Sequence, residues 1–206
     1  MIKKDTVFIL GAGASYHYGY PTGEGLNEKV VEMANKLLGY CRNRLESGQV
    51  VQYLPDYVSA KCESKSGIKG ANAAWRSVIE ECEELIKRIE TVRPLVIDYF
   101  LAWSEKLRPI GKFMVAAVIL DCQAKSLRKK HSGSDWYRFI IHKIGSNCDD
   151  STDIFKNNVH FVTFNYDISL EYYLRRSLSS IELFKLSDID AFLNDKRITH
   201  IYGSVG

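Results

Sequence analysis

The residues best suited to chemistry fall in three short clusters. The first is Gly11-Ala12-Gly13-Ala14-Ser15, followed by Gly19, Pro21 and Thr22. Glycines between a strand and a helix let a backbone approach a pyrophosphate, while free N–H groups at the helix start favour the anion. A two-glycine turn can also merely join the two elements, and taken alone it leaves both readings open. The regular fingerprint G-x-G-x-x-G fails here because Tyr16 holds the third glycine's place, which speaks against a flavin or nicotinamide oxidoreductase. The second cluster is Thr163-Phe164-Asn165-Tyr166-Asp167, and the third is Ile201-Tyr202-Gly203-Ser204 with His200 just before it. On residue type alone, Asn165 and Asp167 could equally cap and charge-balance the helix that follows. His17 in the glycine loop is either a ligand contact or a plain exposed side chain. His131, His142 and His160 lie at no metal-ligand spacing, and no metal is expected.

These clusters need strands and helices to hold them. Thr6 to Leu10 is a short β-favouring run ended by glycine, which predicts a strand buried on both faces of a parallel sheet. From Gly25, apolar residues Leu26, Val30, Met33, Ala34, Leu37, Leu38, Cys41 and Leu45 recur at helical steps, so the unit reads strand, glycine turn, helix. Residues 46–71 are polar and aperiodic and read as a loop. A helical stripe from Trp75 to Val92 stops at Pro94 and resumes over Leu95 to Trp103. Lys112 to Gln123 and Asp135 to Ile144, with Asp135 near the cap, predict further helices. Trp75, Trp103 and Trp136 fall on apolar stripes and are expected in the core. The sheet resumes at Val159 to Phe164, a helix spans Ser169 to Leu178, and Ser179 to Asn194 reads as a short strand and a helix turn. Ile198 to Tyr202 then predicts a third strand.

Composition narrows the function classes. The chain has 206 residues, 46% hydrophobic and 26% charged, enough for one sizeable core. A net charge of +3 gives no case for nucleic acid, and the densest basic run, Arg128 to His131, reads as a solvated helix end. The five cysteines are odd in number and widely spaced, which fits neither a disulfide framework nor zinc hooks and predicts a reduced, cytoplasmic protein. The longest apolar run, Phe113 to Leu120, falls far short of the roughly 20 residues that span a bilayer, so no membrane partner is expected. Lys3 and Lys4 ahead of an apolar stretch imitate a secretion signal, but the stretch runs straight into glycines.

Taken together, GAGASYHYGYPTGEGL, the Thr163–Asp167 segment and Tyr202-Gly203 resemble, in order, the sirtuin signature GAGxSxxxGxP, its TxNxD motif and its strand ending in His-Gly. The likeness is nearest to the sirtuin-like NAD-hydrolase domains of bacterial anti-phage defence proteins. It implies an α/β, Rossmann-like open parallel sheet, with sheet elements over about 1–45 and 155–206. A helical insertion over about 72–145 would take the place of the sirtuin zinc ribbon. Because a sheet stopping after its third strand looks unfinished, the resemblance also implies the N-terminal part of a longer protein. The implied NAD-binding set is Gly11, Ala12, Gly13, Ser15, Gly19, Pro21, Thr22, Thr163, Gly203 and Ser204. The implied catalytic set is Asn165, which would hold a water or the ribose hydroxyls, Asp167, which would stabilise positive charge or orient nicotinamide, and His200. Sirtuins place a histidine base where this chain has Tyr202. His200, two residues earlier on the same face of a strand, is either its substitute or a structural histidine. Pro21-Thr22-Gly23 departs from the deacetylase Pro-Asp-Phe-Arg, which together with the missing zinc hooks disfavours deacetylation. The partners implied are NAD and either further copies of the chain or a defence-system protein. A binding module that has kept the loop and lost catalysis is the alternative.

Overall fold

The computed structural model describes residues 1–47, 57, 68–126 and 136–205. The basic run 128–131, the cap expected at Asp135 and most of the expected loop over 46–71 lie outside them. The chain is α/β, with a small open sheet of three parallel strands in the order β1-β2-β3. In chain order the elements are β1 (Thr6–Leu10), α1 (Gly13–Tyr16), α2 (Gly23–Ser47), α3 (Ile68–Val92), α4 (Ile97–Trp103), α5 (Arg108–Ser126), α6 (Trp136–Gly145), β2 (Val159–Thr163), α7 (Ser169–Leu178), α8 (Leu186–Asn194) and β3 (Ile198–His200). Two compact units result, Met1–Thr22 with Ile119–Gly206, and Gly23–Val118. The division places α2 with the helical unit and α6 with the sheet.

In the helical unit, α2 and α3 run antiparallel, since Asn27 Nδ2 donates to the Pro94 carbonyl at one end and Tyr40 lies against Trp75 towards the other. The periodic stripes meet there: Val30, Ala34, Leu38 and Cys41 from α2, and Val78, Cys82, Leu85 and Ile89 from α3, are buried. Burial pushes the Cys41 thiol up to about 11, so this cysteine is an apolar packing residue rather than a thiolate. A glycine is required where α5 passes α4. A Cβ on Gly111 would stand 2.2 Å from a Leu101 methyl carbon. Trp75 is buried as its stripe predicts, but Trp103 is 85% exposed and stacks against exposed Tyr99.

In the sheet unit, β2 is central and pairs Phe8 with Phe161, Ile9 with Val162 and Thr163 with His200. Phe8 and Phe161 stack at 5.4 Å on the covered face, with Leu10 and Val159 buried beside them. The other face is not covered as expected. Val7 and Ile9 point outward at 59% and 74% exposure, so β1 alternates like a half-buried strand. The segment after α7 also departs from expectation. Residues 179–185 form turns, and α8 follows because Ile189 and Phe192, three apart, are both fully buried on one helical face. β3 ends at His200, two residues early, because Ile201 and Tyr202 turn into Gly203 at φ 81°.

Candidate functional site

All three sequence clusters lie at the carboxyl ends of the parallel strands, where ligands bind in open α/β sheets. β1 runs out into Gly11, and the Ala14 N–H closes a turn onto the Gly11 carbonyl. The helix expected from Gly25 is α2, and a short helix that the sequence did not suggest comes before it. α1 has four residues, and a loop through Gly19, Pro21 and Thr22 separates it from α2. Gly19 needs to be glycine for its φ of 92°, as does Gly203. Gly11 and Gly13 have no positive φ, and a Cβ on either meets nothing within 4 Å. The fold itself demands no glycine at these two positions, and their backbone faces open space.

The loop is held from below by aromatic groups. Tyr18 is buried and stacks on Tyr137 at 4.0 Å, with Tyr173 at 5.0 Å. The Trp136 indole N–H donates to the Ala14 carbonyl at 2.8 Å, so this tryptophan is a half-buried clamp on the loop rather than a core residue. Burial raises the Tyr137 and Tyr20 phenols far above their ordinary range, leaving both neutral.

Ser15 joins the first cluster to the second. Its hydroxyl reaches the Ala12 carbonyl at 3.4 Å, which leaves an oxygen lone pair for the Asn165 amide, and Asn165 Nδ2 donates to it at 3.2 Å. The amide orientation follows: with its NH2 turned to Ser15, Asn165 keeps Oδ1 as an acceptor. The Asn165 backbone N–H donates to Thr163 Oγ1 at 3.1 Å. Asp167 sits apart from this chain of contacts. It is buried, and its Oδ1 accepts from both the backbone N–H and the hydroxyl of Ser169, whose oxygen also lies 2.6 Å from the Tyr137 hydroxyl. In this arrangement Asp167 secures the start of α7, as an Asx turn does.

His200 joins the third cluster to the second. Nδ1 lies 3.0 Å from the Asn165 carbonyl and Nε2 2.5 Å from Glu171 Oε1. The Glu171 hydrogen bond, with smaller help from the Asn165 carbonyl, raises the ring's pKa above the ordinary histidine value despite partial burial. Both nitrogens are engaged, so the ring has no lone pair free to take a proton from water. This arrangement suits the structural alternative for His200 better than the base, and Glu171, an acid in the first turn of α7, is a neighbour of the ring that sequence spacing did not reveal. Gly203 follows in its turn, its N–H directed at the His200 carbonyl at 3.5 Å, and Ser204 is exposed beside it. Phe164, Tyr166 and Tyr202 form an aromatic group at the same edge, with Tyr202 at 5.9 Å from Phe164 and 6.5 Å from Tyr166. Tyr202 is 56% exposed and presents a ring face rather than a base. His17 is exposed and meets the Tyr16 ring edge-on.

Among the described residues, no group of three or more His, Cys, Asp or Glu side chains could hold a metal ion, and no helix is long and apolar enough to cross a membrane. Comparison of the chain with protein-family models, with curated proteins and with solved structures finds no match.

Proposed function

We propose that the chain carries a Rossmann-like, sirtuin-like NAD site and hydrolyses NAD to nicotinamide and ADP-ribose, as the effector domain of a bacterial anti-phage defence protein. The observation that carries this reading is the hydrogen-bonded line Ser15–Asn165–His200, which ties together three motifs lying up to 185 residues apart in the chain. The open space against Gly11 and Gly13 supports it, since a pyrophosphate there would explain glycines that the fold does not need. In the reaction, the bond between nicotinamide nitrogen and ribose C1′ breaks and its electron pair leaves on neutral nicotinamide. Water adds to the oxocarbenium-like carbon. Asn165 Oδ1, left as an acceptor because its NH2 is turned to Ser15, accepts a hydrogen bond from that water or from a ribose hydroxyl. Oxygen bonded to such a carbon is strongly acidic, so its proton passes to solvent without a dedicated base. The aromatic edge of Phe164, Tyr166 and Tyr202 offers a stacking face for a planar ring of the dinucleotide.

The test is chromatography of nicotinamide and ADP-ribose after incubating NAD with wild type and Asn165→Ala. Wild type should release both products. Asn165→Ala should lose about a hundredfold or more in rate, the scale of removing one preorganised polar group, while keeping the fold. Equal rates would remove Asn165 from the mechanism. A second reading, an NAD- or ADP-ribose-binding sensor without turnover, is favoured by the fully engaged nitrogens of His200. NAD binding by calorimetry without product would select it.

A further inference from the structure

We infer that Glu171 is a positioning residue: by holding the protonated ring of His200 against the Asn165 carbonyl, it fixes where the Asn165 side chain stands. The inference rests on the NAD-cleavage reading for its kinetic consequence, and on geometry alone for the contact itself. A carbonyl and a carboxylate only accept hydrogen bonds, so a ring spanning Asn165 O at 3.0 Å and Glu171 Oε1 at 2.5 Å carries hydrogen on both nitrogens. A neutral ring cannot keep both partners. With hydrogen on Nδ1, a lone pair faces the carboxylate; with hydrogen on Nε2, a lone pair faces the carbonyl. Either way one contact becomes repulsive and the grip opens.

The hold matters because Asn165 is fixed at three points, its N–H by Thr163, its amide by Ser15 and its carbonyl by His200. Losing the third frees the peptide that carries the side chain. The His200 and Glu171 side chains are 12% and 29% exposed, so solvent screens the pair only in part. The charged groups acting on the ring are Glu171 on α7 and Asp167 in the turn before it, both acids that favour the protonated form. Its strand neighbour Thr163 on β2 is neutral. Glu171 Oε2 is buried without a hydrogen-bond partner, which leaves the ring as the carboxylate's hydrogen-bonded attachment among the described residues.

The experiment follows the imidazole nitrogen shifts of His200 and the backbone shifts of Asn165 in isotope-labelled protein from about pH 5 to 9, alongside nicotinamide release. Both ring nitrogens should be protonated at neutral pH, and the Asn165 carbonyl shift should move with the midpoint of His200. The release rate should fall through that same midpoint in kcat, with KM little changed. Glu171→Gln is the discriminating variant, because an amide can accept from a ring N–H or donate to a ring nitrogen and so holds either form. It should lower the His200 midpoint and abolish the alkaline loss of rate. Glu171→Ala should depress kcat about tenfold or more across the range, the size of one charge-assisted hydrogen bond. Asn165 shifts that ignore the His200 titration, or an alkaline limb unchanged in Glu171→Gln, overturn the inference even if NAD is cleaved. Coupled shifts without nicotinamide release at any pH support the positioning and defeat the NAD reading instead.

Discussion

Replacing Gly13 by alanine pulls stability and ligand affinity in opposite directions. Gly13 opens α1, has no positive φ, and has nothing within 4 Å of the position its Cβ would take. Alanine therefore meets neither steric nor torsional strain, and by restricting the unfolded chain it should stabilise the protein by about 0.4–1 kcal/mol. At about 2–4 °C per kcal/mol for a chain of this size, the melting temperature should rise by about 1–4 °C. The same methyl would occupy space that a pyrophosphate needs. Pushing the phosphate off the backbone N–H groups forfeits charge-assisted hydrogen bonds of about 1.5–3 kcal/mol, or about ten- to a hundredfold in Kd. Thermal melts and calorimetric titration with NAD measure the two effects on one preparation. Gly39→Ala in α2, which also meets nothing within 4 Å, is the control that should gain stability and leave NAD affinity alone. If Gly13→Ala binds NAD as tightly as wild type, the glycine turn is only a connection between elements and the reasoning from its open space is refuted.

Two further outcomes concern the fold and the site. Gly111→Ala should destabilise the helical unit by about 1–3 kcal/mol through overpacking, because its methyl would stand 2.2 Å and 2.9 Å from the two Leu101 methyl carbons; in denaturant melts, adding Leu101→Ala should cost less in this background than alone, and strict additivity would refute the contact. Because the folded pKa of His200 is raised, its contribution to stability is complete below the ordinary histidine value of about 6.5 and is lost as pH rises through the folded value. The stability advantage of wild type over Glu171→Ala should therefore shrink with increasing pH, and an advantage that grows with pH would contradict the ion pair.

Much of the backbone was legible because local chemistry and tertiary packing agree. Thr6 to Leu10 is β-branched and aromatic and is stopped by glycine, and Ser169 to Leu178 keeps helical spacing, so both elements have the limits their residues imply. Disagreement arises where a short apolar run admits two periods. Ile189 and Phe192 satisfy a helix, and the strand anticipated after Ser179 gives way to turns. Exposure was less legible than structure type. Ile9 and Trp103 carry large apolar side chains on regular elements, yet which face lies against a neighbour depends on packing that local spacing does not encode. The site divides in the same way. Gly11, Gly13, Ser15, Asn165 and His200 could be picked out because motif spacing marks them. Glu171 could not, since its partner His200 is 29 residues away and they meet only once β3 and α7 are both in place. Tyr202, read from sequence as a missing base, acquires a different meaning beside Phe164 and Tyr166, neighbours that only the folded edge assembles.

The clamp of Trp136 on the Ala14 carbonyl gives the glycine turn an intrinsic optical reporter. Indole emission responds to the loss of an N–H hydrogen bond and to the polarity of what replaces it, so any ligand that shifts the Ala14 peptide alters the colour and yield of this one fluorophore. Trp75 is buried and Trp103 is bathed in solvent, which sets their emission towards opposite ends of the indole range. Occupancy of the turn can thus be read as light, without a label and without turnover.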